Sequence, residues 1–237
     1  MISEAWDRAE ARDMAVAARQ LGRPLAGRVV AVARRCSYGQ PQVLVTYPLL
    51  QATEHGAAQQ NATEQNAAKQ PGDAGPCCEL EPGVPARWAP FPTVYWLTCP
   101  YVRSAVATFE SQGMIEDVRR RIREDAEFRR EYEDANTRYA SQRMWLLDAA
   151  DRARLRIDAE KDGPGAGVLR VMEESGIGGS ADWTGVKCLH MNVADFMAGN
   201  ANPVGELCVR RLAEDGAGPG LECADGRCVP AKGSTAP

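Results

Sequence analysis

Apolar positions along the chain change period several times, and the changes divide it into elements. Trp6, Ala9, Met14, Val16 and Ala17 lie among charged residues with Ser3 available as an N-cap, a pattern that predicts a terminal amphipathic helix from Ser3 to about Gln20. Leu21-Gly22-Arg23-Pro24 ends that helix before the continuous apolar run Val29 to Ala33, and a second run follows the Gly39-Gln40-Pro41 turn at Val43 to Thr46. Both read as strands. A third strand is expected at Thr93 to Leu97.

Beyond it the period becomes helical. Pro100 suits a first helical turn, placing Thr98 or Cys99 at the boundary, and Val102, Ala105, Val106 and Phe109 then recur along one face. After Gly113 a longer pattern carries Ile115, Val118, Ile122, Ala126, Tyr132, Ala135 and Tyr139 to about Ala159, with a break expected near Asn136 or Asp148. Gly163 to Gly167 reads as a separator and Ile177-Gly178-Gly179 as a turn. Val186 to Ala198 predicts a final helix, closed by Asn202-Pro203. The fold class that follows is α+β, a small sheet packed against several helices.

Two stretches lack an apolar period. Residues 51–85 are rich in Gln, Ala, Asn, Gly and Pro and read as a flexible low-complexity insertion, whose removal over Gln51 to Gly75 is expected to leave the fold intact. Residues 210–237 read as a flexible tail. The expected organisation is therefore an N-terminal helical extension over 1–20 and a single domain over 21–209, interrupted by that insertion.

Composition narrows the function classes. The 237 residues carry a formal charge of −4, with 44% hydrophobic and 25% charged residues, which is ordinary for a globular protein and gives no general attraction to phosphate backbones. The run Arg119-Arg120-Arg121 with Arg123 is surrounded by Glu116, Asp117, Glu124 and Asp125, the pattern of a salt-bridged solvated face rather than a nucleic-acid groove. No window approaches a membrane span, and Met1-Ile2-Ser3-Glu4 does not begin a signal segment, so the expected location is cytoplasmic.

Eight cysteines and two histidines hold most of the candidate chemistry. Cys77 and Cys78 fall in the insertion without companion ligands, and Cys223 and Cys228 fall in the tail. Cys36 and Cys99 each follow an extended segment and precede a turn, where strands can deliver side chains from distant parts of the sequence. Cys188 stands at the start of a helix, where backbone dipoles favour a thiolate. Joint use of Cys188 with His190 requires Cys188 at the irregular leading edge of that helix, whereas Cys188, Asn192 and Asp195 converge if it is already helical. Cys36, Cys99 and Cys188 with either His190 or Asp195 make a candidate zinc set, in place of the tail cysteines; three separately packed thiols are the alternative.

Taken together, Arg34-Arg35-Cys36-Ser37-Tyr38-Gly39, Phe91-Pro92-Thr93, Leu97-Thr98-Cys99-Pro100, Gly113-Met114, Val186-Lys187-Cys188-Leu189-His190 and Asn202-Pro203-Val204-Gly205 resemble the bacterial DUF501 family, over residues 20–50 and 88–209. The resemblance implies a small cytoplasmic protein encoded beside a division-associated coiled-coil protein and an exopolyphosphatase-like protein, with no reaction specified. It also implies a second His where this chain has Asp195, and either Cys or His at Cys99.

Two functional classes follow. One is a metal-stabilised adaptor or regulatory module presenting a helical face to a protein partner. The other is a metal-dependent hydrolase in which His190 or Asp195 activates water and Arg35 or Lys187 holds an anionic substrate. A thiol redox enzyme is disfavoured because the ordered part lacks Cys-x-x-Cys.

Overall fold

The computed structural model describes residues 6–52, 87–161 and 163–215 together with Leu221, Cys223, Gly226 and Cys228. Four antiparallel strands form the main sheet in the order β1-β2-β3-β6, from Asp7–Arg8 (β1), Val29–Arg35 (β2), Pro41–Thr46 (β3) and Tyr95–Leu97 (β6). Leu49–Ala52 (β4) and Arg87–Pro90 (β5) pair separately as an antiparallel ribbon with Ala52 opposite Arg87. That register places the ends of the intervening segment side by side, and Cys77 and Cys78 lie outside the described residues.

Every residue of β3 is buried. Its alternating side chains serve two layers: Leu44, with Val32 of β2, packs on Ala17 of the helix Ala11–Leu21 (α1), while Val43 and Val45 point with Ala31, Tyr95 and Leu97 into the main core. A strand covered on both faces needs an unbroken apolar run, which is how this segment reads. The N-terminal helix starts later than expected, at Ala11 after the N-cap Glu10, because Asp7–Arg8 is drawn into the sheet opposite Ala31 and Val32.

The main core is closed by the helices Pro100–Ser111 (α2), Met114–Glu124 (α3), Ala126–Leu146 (α4), Leu189–Met197 (α7) and Pro203–Glu214 (α8). Ala149–Glu160 (α5) and Gly165–Glu174 (α6) form a smaller apolar cluster with Tyr47 and Leu49 around Leu155, Val168 and Met172. The long helical pattern after Gly113 is thus three helices. Its breaks fall at Asp125, whose carboxylate accepts from the amides of Glu127 and Phe128 at 3.0 Å each, and at Asp148, which accepts from Asp151 at 2.8 Å. Asn136, an expected break, lies inside α4 and directs its amide group to Tyr132 and to the amide N–H of Ile177.

The Gly163–Gly167 separator is another departure from expectation: its second glycine opens α6. The Asp158 carboxylate accepts the Gly165 amide at 2.6 Å, and a Cβ at Gly165 would lie 2.6 Å from the same oxygen, so a larger residue would obstruct the contact. Gly205 has a comparable role in α8, where a Cβ would come within 2.3 Å of the Asn192 carbonyl oxygen of α7. In Asn202-Pro203-Val204-Gly205, then, Asn202 caps α8 through the Gly205 amide, Pro203 begins it, and Gly205 lets two helices touch. The helix continues to Glu214 and Leu221 is buried in the main core, so ordered structure passes residue 209.

The arginine run of α3 pairs as its surroundings implied, Arg120 with Asp117, Arg121 with Asp125 and Arg123 with Glu116. No helix of the described residues is long and apolar enough to cross a membrane.

Candidate metal centre

Helix α2 turns Val102, Val106 and Phe109 into the core, which leaves Glu110 at the edge of the buried stripe. Across from it, α7 begins at Leu189, three residues later than the apolar pattern suggests. Cys188 is its N-cap, in an extended conformation with φ −160° and ψ 132°, and provides no side-chain cap hydrogen bond. Glu110 supplies the cap from 79 residues away: its Oε1 accepts the Leu189 amide at 2.7 Å, placing a carboxylate at the positive end of α7.

The same oxygen lies 3.2 Å from His190 Nδ1, and Cys188 Sγ lies 3.5 Å from that nitrogen. Glu110, Cys188 and His190 therefore bring three donor atoms within 4.8 Å of one another, at a half-buried place on the surface. Cys188 reaches this cluster because it precedes the helix, the irregular leading edge that its joint use with His190 requires.

His190 Nε2 is 3.1 Å from the Arg103 carbonyl oxygen, which accepts only if Nε2 carries the hydrogen. In a neutral ring this leaves the Nδ1 lone pair facing Glu110 and Cys188. A carbonyl that fixes the far nitrogen is the usual support of a metal-binding histidine. Burial alone would lower the His190 pKa, but Cys188 and Glu110 outweigh it and raise it to about 10. For Glu110, burial works upward and is overcome by His190, so the carboxyl is held below its ordinary range. The geometry serves a proton on Nδ1 or a metal ion in its place. Thiolate, imidazole and carboxylate are all zinc donors, and three of them leave a fourth position open.

Cys36, Cys99 and Asp195 stand outside this cluster. Cys36 begins the β2–β3 turn, its amide bonded to the Gln40 carbonyl at 3.0 Å, and Cys99 is buried as the N-cap of α2. Asp195 is fully enclosed, its two oxygens accepting from Asn200 and Asn202 at 2.9 Å each. Asn202 also donates to Asn192, whose own amide donates to the Cys188 carbonyl, so the Cys188–Asn192–Asp195 face of α7 is knit into a structural network. Of the two candidate anion holders, Arg35 is committed to Asp13 and Asp7, while the exposed Lys187 makes one hydrogen bond, to the Gly179 carbonyl at 3.2 Å. Beneath the cluster, Cys208 of α8 is fully buried, and that burial, reinforced by Glu110 and Cys188, pushes its thiol up to about 12.

Residues 32–210 match the model of a family described as protein of unknown function (DUF501). The chain belongs to the DUF501 family. The match spans β3 to β6, most of the main apolar cluster, the Leu155 cluster and the whole Glu110–Cys188–His190 cluster, and leaves β1, α1 and the start of β2 outside. Comparison with curated proteins and with solved structures finds no match to this chain.

Proposed function

We propose that this DUF501 protein is a metal-stabilised adaptor or regulatory module, in which an ion held by Glu110, Cys188 and His190 locks the end of α2 to the start of α7. The observation that carries the reading is the cluster itself: a thiolate, an imidazole and a carboxylate from two elements far apart in sequence, with the far ring nitrogen of the histidine fixed by a backbone carbonyl. Two surface concavities among the described residues lie away from the cluster. One, of about 650 Å³, lies between α3 and α8, and one of about 500 Å³ lies between α4, α5 and Trp183. An ion bridging α2 and α7 suits a clamp that sets the relative position of two helices, or one that takes its fourth ligand from a bound protein.

Zinc is the cofactor that the donor set favours. Freshly purified full-length protein is expected to hold about one zinc at this centre, and Glu110→Gln, Cys188→Ser and His190→Ala each to lower it. A protein partner captured reciprocally from cells is expected to be lost on chelation and in the same variants. Unchanged metal content in all three variants would refute the centre, and partner binding indifferent to both treatments would refute the adaptor role.

The open fourth position supports a second reading, a metal-dependent hydrolase in which the ion activates water. Hydrolysis of phosphate-ester or peptide substrates, abolished both by chelation and by His190→Ala, would displace the adaptor.

A further inference from the structure

Leu221, Cys223, Gly226 and Cys228 lie beyond the α8 helix, and their contacts run back to the far end of the main sheet. Gln42, near the start of β3, is the hub. Its backbone carbonyl accepts from the amides of Thr98 and Cys99 at 2.9 and 3.4 Å, while its side-chain Nε2 donates to the Leu221 carbonyl at 3.0 Å, with Leu221 itself buried in the core. Cys223 is two residues from that anchor, and Cys99 is at it.

A second anchor repeats the arrangement. Gly226, with φ +64°, lies so close to Tyr38 that an added Cβ would meet the ring Cγ at 2.6 Å. Tyr38 occupies the β2–β3 turn, closed by hydrogen bonds between Cys36 and Gln40 and between Gly39 and Cys36. Cys228 is two residues past Gly226, and Cys36 is two before Tyr38. Two residues span at most about 7 Å of chain, so the first anchor ties Cys223 to Cys99 through one such span and the second ties Cys228 to Cys36 through two.

We propose that Cys36, Cys99, Cys223 and Cys228 form a four-thiolate structural zinc site that fastens the C-terminal segment to the end of the sheet. The four side chains are electrostatic neighbours: a charge on Cys228 or Cys223 is felt at Cys99, and charges on Cys223 and Cys36 are felt at Cys228. Burial holds the Cys99 and Cys228 thiols above their ordinary range, only partly offset by the first-turn amides of Tyr101 and Val102 at Cys99 and by Gln20 and Arg19 at Cys228, so both stay protonated until an ion displaces the protons. Gln20 is also enclosed. Its Nε2 donates to the Pro41 carbonyl at 2.9 Å, while its Oε1, an acceptor with nothing to offer a thiolate, has no hydrogen-bond partner among the described residues.

Glu110, Cys188 and His190 are the one set of three donors within 4.8 Å among the described residues. The four sulfurs are therefore spread wider than the roughly 3.8 Å separations of a tetrahedral zinc–thiolate set, and the ion would supply the final approach. Binding releases a proton from each thiol and leaves a net charge of −2, next to Arg19. A closed set of four sulfurs keeps no open position, so its role is structural. The site shares no ligand with the Glu110 centre and does not depend on it.

Full-length protein, reduced and loaded with zinc alone, tests the proposal by metal content per chain and by alkylation of its cysteines. The double variant Cys223→Ser/Cys228→Ser is expected to lose about one zinc per chain, as is Cys36→Ser, whereas Glu110→Gln and His190→Ala leave this zinc in place. Zinc should protect the half-buried Cys36, Cys223 and Cys228 from alkylation together. Cys228→His should retain the ion, which separates lost ligation from lost folding. Cobalt in place of zinc should give the intense thiolate charge-transfer absorption of a sulfur-rich tetrahedral site in the parent protein and lose it in the double variant. Unchanged zinc content in the double variant would overturn the proposal. A Cys223–Cys228 or Cys36–Cys228 disulfide surviving in the reduced, zinc-loaded protein would also overturn it and make these cysteines a redox pair.

Discussion

Replacing Arg143 by methionine should destabilise the protein by about 4 kcal/mol. Arg143 is a wholly buried side chain of α4, and its hydrogen bonds all run to backbone carbonyls. Nε donates to Met172 at 3.0 Å, one Nη to Pro92 and Gly176 at 3.3 Å each, and the other Nη to Ser175. Met172 and Ser175 belong to the last turn and C-cap of α6, so the guanidinium caps that helix, whose carbonyl end favours a cation. The Gly176 carbonyl also accepts the Gly179 amide at 3.1 Å, so three carbonyls are stranded, and at about 1–3 kcal/mol for each buried acceptor the gross loss is about 3–9 kcal/mol.

Two effects reduce that figure. Burial lowers the guanidinium pKa to about 10, and removing the charge recovers about 3 kcal/mol of that cost. Water also reaches some of the freed carbonyls. A net loss of about 4 kcal/mol corresponds in a chain of this size to a fall in Tm of about 8–16 °C. Urea unfolding followed by far-ultraviolet circular dichroism, with the slope constrained to that of the parent, measures it. Arg143→Lys keeps the charge but not the planar fork and should lose about 2 kcal/mol or more. A loss under about 1 kcal/mol in the methionine variant would refute the reasoning, and a neutral lysine variant would show that charge, not the fork, is what matters.

Two further substitutions test the packing of α7 and α8. Burial raises the Asp195 carboxyl to about 6; because the folded value exceeds the unfolded one, its contribution is fully present below about pH 4 and is lost as pH rises through 6. Asp195→Asn should therefore gain up to about 3 kcal/mol relative to the parent between those pH values, less whatever the Asn200 and Asn202 hydrogen bonds return; parallel stability-versus-pH curves for the two proteins would contradict it. Gly205→Ala forces a methyl group against the Asn192 carbonyl and Phe196 Cβ, and should cost about 1–3 kcal/mol despite the better helix propensity of alanine. An unchanged denaturation midpoint would show that the two helices separate freely.

Local sequence determines much of this protein. The β3 run, the Pro100 start of α2 and the charge pairing of α3 all follow from patterns within a few residues, because strand burial, helix starts and i,i+3 or i,i+4 pairing are short-range effects, whereas Asn202-Pro203, expected to close the last helix, opens α8 instead. The same logic reaches Asp125 and Asp148, although the continuous apolar pattern across them hides the first of these breaks. The candidate centre was only half legible. Cys188 and His190 are two residues apart and their use depends on where one helix begins, which is set by Glu110 capping that helix from α2. Glu110 itself carries no local signal: it is an ordinary acidic residue beside an apolar stripe, given chemical meaning only when α2 and α7 pack together.

Tertiary structure likewise decides how the cysteines are grouped. Spacing alone places Cys36, Cys99 and Cys188 on equal terms and leaves Cys223 and Cys228 in a tail. The folded chain sends Cys188 to one end of α2 and keeps Cys99 at the other, while the Gln42–Leu221 and Tyr38–Gly226 contacts bring the last two cysteines back to the sheet. Proximity of that kind is set by the relative placement of whole elements, and a donor atom within reach of an ion is a property of that placement rather than of the residue's neighbours in sequence.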